Sequence, residues 1–212
     1  ERGNMIREYE EKKEEIVSAV VVRVDPTTGN ATLEIGKNEM VLFRNEQIPG
    51  ETLQVGDRIK VFITEIKKET RGPSIVLSRI HPGLVGRLFE LEVPEIYDGT
   101  VEIKSISREA GSRTKMAVWS NDADVDAIGA CIGPKRSRIT AVVNELNGEK
   151  IDIIPWSENP GEFIARALAP AEVIKAVITS LEEKTCTVVV PNNQLSLAIG
   201  NKGQNAKLAA KL

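Results

Sequence analysis

Hydrophobic positions from about Glu15 to Ile80 recur with a period near two, the spacing of a half-buried strand. "IVSAVVVRV" is a β-branched run ended by "DPTTGN", where Pro26 sets φ and Gly29 and Asn30 tolerate positive φ. "ATLEI", "EMVLF", "RIKVFITEI" and "SIVLS" follow, separated by turn residues, with "QIPGETLQVGD" as the longest connection. Five short strands with tight turns predict a small closed or nearly closed barrel.

The texture changes at His81. "HPGLVGRLFELEVPEI" reads as a short helix ended by Val93-Pro94. "TVEIKSISR" and "KMAVWS" read as strands. "NDADVDAIGACI" reads as a helix capped by Asn121 or Asp122, and "RSRITAVVNELNG" as a second helix closed at Asn147-Gly148. "KIDIIP" is a last strand, so the order is α-β-β-α-α-β. A further unit repeats that order: "NPGEFIARALAP" with Pro160 at its start, strands "EVIKAVITSLE" and "TCTVVV", a short helix "NNQLSLAI" opened by Asn192 or Asn193, and "QNAKLAAKL". The strand that would complete this second copy is missing. Ile132-Gly133-Pro134-Lys135 in one copy matches Ile199-Gly200-Asn201-Lys202 in the other at a spacing of 67 residues.

The repeated element is a loop between two helices. Gly200 and Gly203 lack Cβ, so the turn can use otherwise costly dihedrals and a polymer backbone can lie against it. The next helix turns its free N–H groups and positive dipole end toward the loop, which favours phosphate. Lys202 adds charge and Asn201 adds donors; Gln204, Asn205 and Lys207 lie in the first turn beyond. A lone G-x-x-G is weak evidence, since glycine is an ordinary helix C-cap. Two in register within one repeated topology match the KH domain, whose G-x-x-G loop clamps about four nucleotides. The first loop departs from this pattern. Pro134 removes an N–H, and Arg136 stands at the second glycine's position, so Gly133, Pro134, Lys135, Arg136 and Arg138 are expected to grip by charge more than by backbone.

Charge changes the picture less than its distribution does. The chain carries 28 Lys+Arg against 31 Asp+Glu, a net charge of −3, which lacks the overall basic balance of a duplex wrapper. After Glu183 there is no acid, while Lys184, Lys202, Lys207 and Lys211 follow; Lys135, Arg136 and Arg138 form a second cluster. Local basic faces on a near-neutral body fit single-stranded nucleic acid. Two cysteines without metal-ligand spacing point to a reducing compartment. No apolar run approaches the ~20 residues of a membrane span.

At this point the chain resembles a family. "GDRIKVFITEIKKETRGPSIVLSR", "RLFELEVPEI", "IGACIGPKRSRI", "GEKIDIIPW" and "AIGNKGQN" are similar to the RNA-binding core of the NusA family of bacterial transcription elongation and termination factors. The resemblance implies an α+β multidomain fold: a five-stranded OB-type barrel of the S1 type over 15–80, then two type II KH domains over 81–156 and 157–212, the second without its last strand. It implies that residues 1–14 end a linker helix from an N-terminal domain that binds RNA polymerase. It implies a cytoplasmic, monomeric binder of nascent or ribosomal leader RNA, acting with other antitermination factors in pausing, termination and antitermination, with no cofactor and no membrane. The other RNA-binding reading is a KH/OB module of another RNA-processing or ribosome-assembly protein.

Other chemistry is thin. No phosphate-loop signature or nucleophile elbow is present, and one histidine, His81, leaves little for acid–base catalysis. Enzymes with such modules, polynucleotide phosphorylase among them, carry catalysis elsewhere. "DADVD" lacks the glycine and glutamate of a calcium loop. In the barrel, Phe62 reads as core, and Phe43 as core or as a stacking platform for a base. Arg79, Arg113 and Lys115, with Lys104 and Arg108, are second-rank candidates for a basic track. Trp156 reads as packing between the KH units ahead of base stacking. Short Pro-containing junctions imply fixed relative placement, and a scaffold that docks protein is the remaining class.

Overall fold

The computed structural model describes residues 12–69 and 72–212. The expected linker helix over 1–14 lies outside them except for residues 12–14, which form a turn. The chain forms two compact units: residues up to 91 with 110–112 and 141–149, and residues 92–109, 113–140 and 150–212.

In the first unit, strands β1 (Ile16–Val24), β2 (Ala31–Ile35), β3 (Asn38–Leu42), β4 (Arg58–Glu69) and β5 (Gly72–Ser78) are antiparallel in the order β3-β2-β1-β4-β5. β3 and β5 are neighbours, so the barrel is nearly closed. Alternation decides the interior. Ala31, Leu33 and Ile35 point in while Thr32 and Glu34 point out; Met40, Leu42, Ile59, Val61, Ile63 and Leu77 complete the core. Phe62 is buried, yet on the opposite face of β4 from Val61 and Ile63. Its ring stacks on His81 with centroids 4.6 Å apart. A Cβ at Gly83 would lie 2.5 Å from the Phe62 ring, so a side-chain-free residue is required there. The structure adds a 3₁₀ turn, Arg44–Glu46, where the pattern predicts only loop.

Helix α1 spans Pro82–Glu92, and a short helix α2, Pro94–Tyr97, follows Val93, unannounced by the pattern. The second unit holds the three-stranded sheet β6 (Val101–Glu109), β7 (Arg113–Ser120), β8 (Lys150–Pro155), with β6 antiparallel and β8 parallel to β7. Helix α3 is Ala127–Ile132 and α4 is Ser137–Glu145. The cap of α3 is Asp126, which accepts from the Ile128 N–H, and not Asn121 or Asp122. Those two residues are committed to the preceding turn: Asp122 accepts from the Asp124 N–H, and Asn121 donates to the Gly99 carbonyl. Local Asx turns compete with capping, and here the turn wins.

The repeated order recurs as α5 (Pro160–Ala167), β9 (Lys175–Ser180), β10 (Thr185–Val189), α6 (Leu195–Ile199) and α7 (Gln204–Lys211). Asn159 caps α5 by accepting from the Glu162 N–H, with Pro160 at the first helical position. Asn192 and Asn193 sit in a 3₁₀ turn before α6 and do not cap it. No described helix is long and apolar enough to cross a membrane.

Candidate nucleic-acid interface

Each helix pair, α3–α4 and α6–α7, is joined by one of the glycine loops, and the two loops share a backbone. Gly133 adopts φ/ψ of 75°/173° and Gly200 82°/170°; Lys135 adopts 52°/32° and Lys202 55°/27°. At the fourth position Gly203 has φ 77°, and Arg136 follows it with φ 61°. The first loop therefore holds the same left-handed turn without the second glycine, an arrangement that costs an L-residue about 1–2 kcal/mol.

The glycines are needed for different reasons. A Cβ on Gly200 would meet the Asn205 backbone nitrogen at 2.6 Å, so this glycine lets the helices close on each other. A Cβ on Gly203 would find only the Lys207 side chain, at 3.5 Å. Gly203 is a glycine for its φ and leaves open space above the N-terminus of α7, where it offers no side chain as a cap. Pro134, Lys135, Arg136, Asn201, Lys202 and Lys207 are exposed, and Gln204 is half-buried. Lys207 Nζ donates to the Lys202 carbonyl at 3.4 Å, bringing two ammonium groups to one loop.

Two of the predicted loop residues work from inside. Arg138 lies across Gly133, donates to the Ala130 carbonyl at 2.7 Å and pairs with Glu95 at 2.9 Å. At the corresponding place in the second copy, Asn205, 2 % exposed, donates through Nδ2 to the Ala198 and Leu168 carbonyls. In both copies the second residue of the later helix holds the C-terminal carbonyls of the earlier one. These residues set the loop's shape.

Two of the residues expected on a basic track, Arg79 and Lys115, are buried. Arg79 is 1 % exposed, and its guanidinium is fully engaged by Glu51 (2.6 and 3.1 Å), Glu145 Oε1 (3.1 Å) and the Lys60 and Glu145 carbonyls (2.7 and 3.0 Å). Lys115 is fully buried, donating to Asp152 at 3.0 Å and to the Ala169 carbonyl at 2.7 Å, while Arg113 grips the same Asp152 at 2.8 and 3.0 Å. Burial pushes the Lys115 ammonium below the usual lysine pKa, opposed by Asp152. A phosphate cannot reach Arg79 or Lys115, which serve the fold, while Arg113 is partly exposed and paired with Asp152. Phe43, 52 % exposed beside the 3₁₀ turn, stays available for stacking.

Sequence reasoning passed over the ties between the two KH copies. Ser107 Oγ donates to the Leu208 carbonyl at 2.7 Å, and Gln204 Nε2 to Glu109 at 2.8 Å, so α7 is held to β6 right behind its loop. A serine and a glutamate on a strand give no local signal of a partner about 100 residues away. Cys131, in α3, is buried, and burial raises its thiol pKa to about 12, which keeps it unreactive. Among the described residues, no cluster of three or more His, Cys, Asp or Glu side chains could hold a metal ion.

Comparison with known families matches the S1 RNA binding domain over residues 10–79, the NusA-like first KH domain over 79–156 and the NusA-like second KH domain over 160–212. The transcription termination/antitermination protein NusA of Bacillus subtilis (strain 168) is 54% identical over 212 residues, all of this chain and 56% of that protein. The protein of the same name from Halalkalibacterium halodurans is 53% identical over 212 residues, 100% of this chain and 55% of its own length. That of Thermus thermophilus is 49% identical over 212 residues, again 100% of this chain and 54% of its own. The chain thus spans about half the length of the curated relatives it matches. With an S1 domain, two NusA-like KH domains in the same order, and identity running from end to end, the chain belongs to the NusA family.

Proposed function

We propose that this chain is the RNA-binding region of a transcription termination and antitermination factor, and that it holds single-stranded nascent RNA while RNA polymerase pauses or terminates. The observation that carries the reading is the pair of loops with one backbone conformation, each presenting an exposed lysine before a helix N-terminus. Such a turn gives phosphate both N–H donors and a cation. Gly133, Pro134, Lys135 and Arg136 form one clamp, and Gly200, Asn201, Lys202, Gly203, Gln204 and Lys207 the other, with Arg138 and Asn205 as positioning residues. The relatives' name supplies the transcriptional context; on this reading the factor works in the cytoplasm, and contact with polymerase belongs to other parts of the full-length factor.

Fluorescence anisotropy with an end-labelled, A-rich RNA of about 12 nucleotides, enough for two four-nucleotide clamps and the span between them, tests the reading. Binding is expected at low salt and weakens as salt rises. Absence of binding at low salt overturns it. Loss of binding in Gly203→Asp, with the fold intact by circular dichroism, places the strand at the second loop.

A further inference from the structure

Away from the glycine loops, Trp119 at the end of β7 and Trp156 just after β8 meet edge to face, ring centroids 5.6 Å apart and planes at 85°. Sheet register sets them side by side. Val118 is opposite Pro155 in the parallel pair, and the Trp156 N–H donates to the Val118 carbonyl at 2.8 Å. On the other flank of β7, Glu102 stands opposite Trp119 and holds Lys104 Nζ at 3.1 Å. That ammonium lies 4.8 Å from the centroid of the Trp156 ring. The result is a cluster of two indoles and an ion pair, in the same compact unit as both loops.

Trp119 remains 40 % exposed. A large apolar ring left partly in water forgoes burial free energy, and in a chain with 4% aromatic residues that exposure stands out. An edge-to-face contact occupies at most one face of the Trp119 ring. The remaining surface is a flat aromatic one in contact with Trp156, the kind on which an unpaired base stacks whatever its sequence. Lys104 is paired with Glu102, so the charge beside the platform is balanced and the ring surface itself is what it offers a base. A protein partner would find the same apolar ring, but its place in the same compact unit as both glycine loops favours the strand those loops hold.

We propose that Trp119, braced by Trp156 and Lys104, is a stacking platform for an unpaired nucleobase of single-stranded RNA, a base-binding site separate from the two glycine loops. The proposal rests on the RNA-binding reading above.

The chain contains two tryptophans, both in this cluster, so indole emission reports on it alone. The A-rich RNA of about 12 nucleotides is titrated into the whole chain, recording indole emission and the anisotropy of the end label together. Emission should be quenched over the concentration range in which anisotropy rises. Trp119→Ala should weaken binding about tenfold, while Trp119→Phe, which keeps a flat ring, should weaken it less than about threefold. Trp156→Phe leaves Trp119 as sole fluorophore and should retain the quench. Thermal unfolding of each variant monitors the fold. Rising anisotropy with unchanged emission, or wild-type affinity in Trp119→Ala, overturns the platform and leaves the loops untouched. No rise in anisotropy overturns the RNA-binding reading instead.

Discussion

Arg136 and Gly203 occupy one backbone position in two copies of a fold, and what separates them is a side chain at positive φ, 61° against 77°. The arginine pays conformational strain that glycine avoids, so it is unfavourable for folding and useful only for what its charge does. Arg136→Gly is therefore expected to raise unfolding free energy by about 1 kcal/mol in urea titrations while lowering RNA affinity. Equal or lower stability would show that the strain is relieved in another way. Gly203→Asp should cost more affinity than Arg136→Ala, because it puts a Cβ and a negative charge where the second loop leaves open space. The reverse order in anisotropy titrations would assign the dominant grip to the first loop. At this scale the sequence was partly legible. Two glycines and a lysine at fixed spacing announce the turn, but nothing local separates exposed Arg136 from clamped Arg138. The difference is made by Glu95, 43 residues away.

Elements were legible where burial alternates. The five barrel strands follow from period two, and the helix-loop-helix from glycine placement. Boundaries governed by side-chain competition were not: Asp126 caps α3 because Asp122 is already spent on its own turn. Least legible were charges, because a lysine in a strand reads as a surface residue until its partner is known. Lys115 on β7 and Asp152 on β8 sit opposite each other in the parallel register, and Arg113 shares the same carboxylate. Removing different members of this trio should have unequal effects. Asp152→Ala strands a buried ammonium and should cost about 3–5 kcal/mol. Lys115→Met leaves Asp152 paired with Arg113 and costs mainly the Ala169 carbonyl its donor, about 1–2 kcal/mol. Urea unfolding of the two variants checks the order. The depressed Lys115 pKa also fixes a sign. The unfolded chain binds that proton more tightly, so stability gains as pH climbs from the folded value toward the ordinary ~10.4. Lys115→Met should flatten that alkaline slope.

For the molecule as a whole, net charge and function point in opposite directions until charge is placed. A body of −3 repels RNA at long range, and screening by salt should relieve that repulsion. Binding at short range releases counterions from the strand, and salt should oppose it. The four exposed cations of the loops, Lys135, Arg136, Lys202 and Lys207, decide which effect wins. With Arg79 and Lys115 enclosed and Arg113 paired with Asp152, only these count toward phosphate neutralisation at the loops. Single strands give a slope of log K against log salt near −0.7 per phosphate contact, so four contacts predict about −3. Arg136→Ala should move that slope by about 0.7 toward zero, while Arg79→Met, if it folds, should leave it unchanged. Anisotropy titrations at several salt concentrations measure both. A slope well steeper than −3 would show that further cations touch the strand, with Lys104 beside Trp156 the first to test. A slope near zero would mean that bases, and not phosphates, carry the affinity.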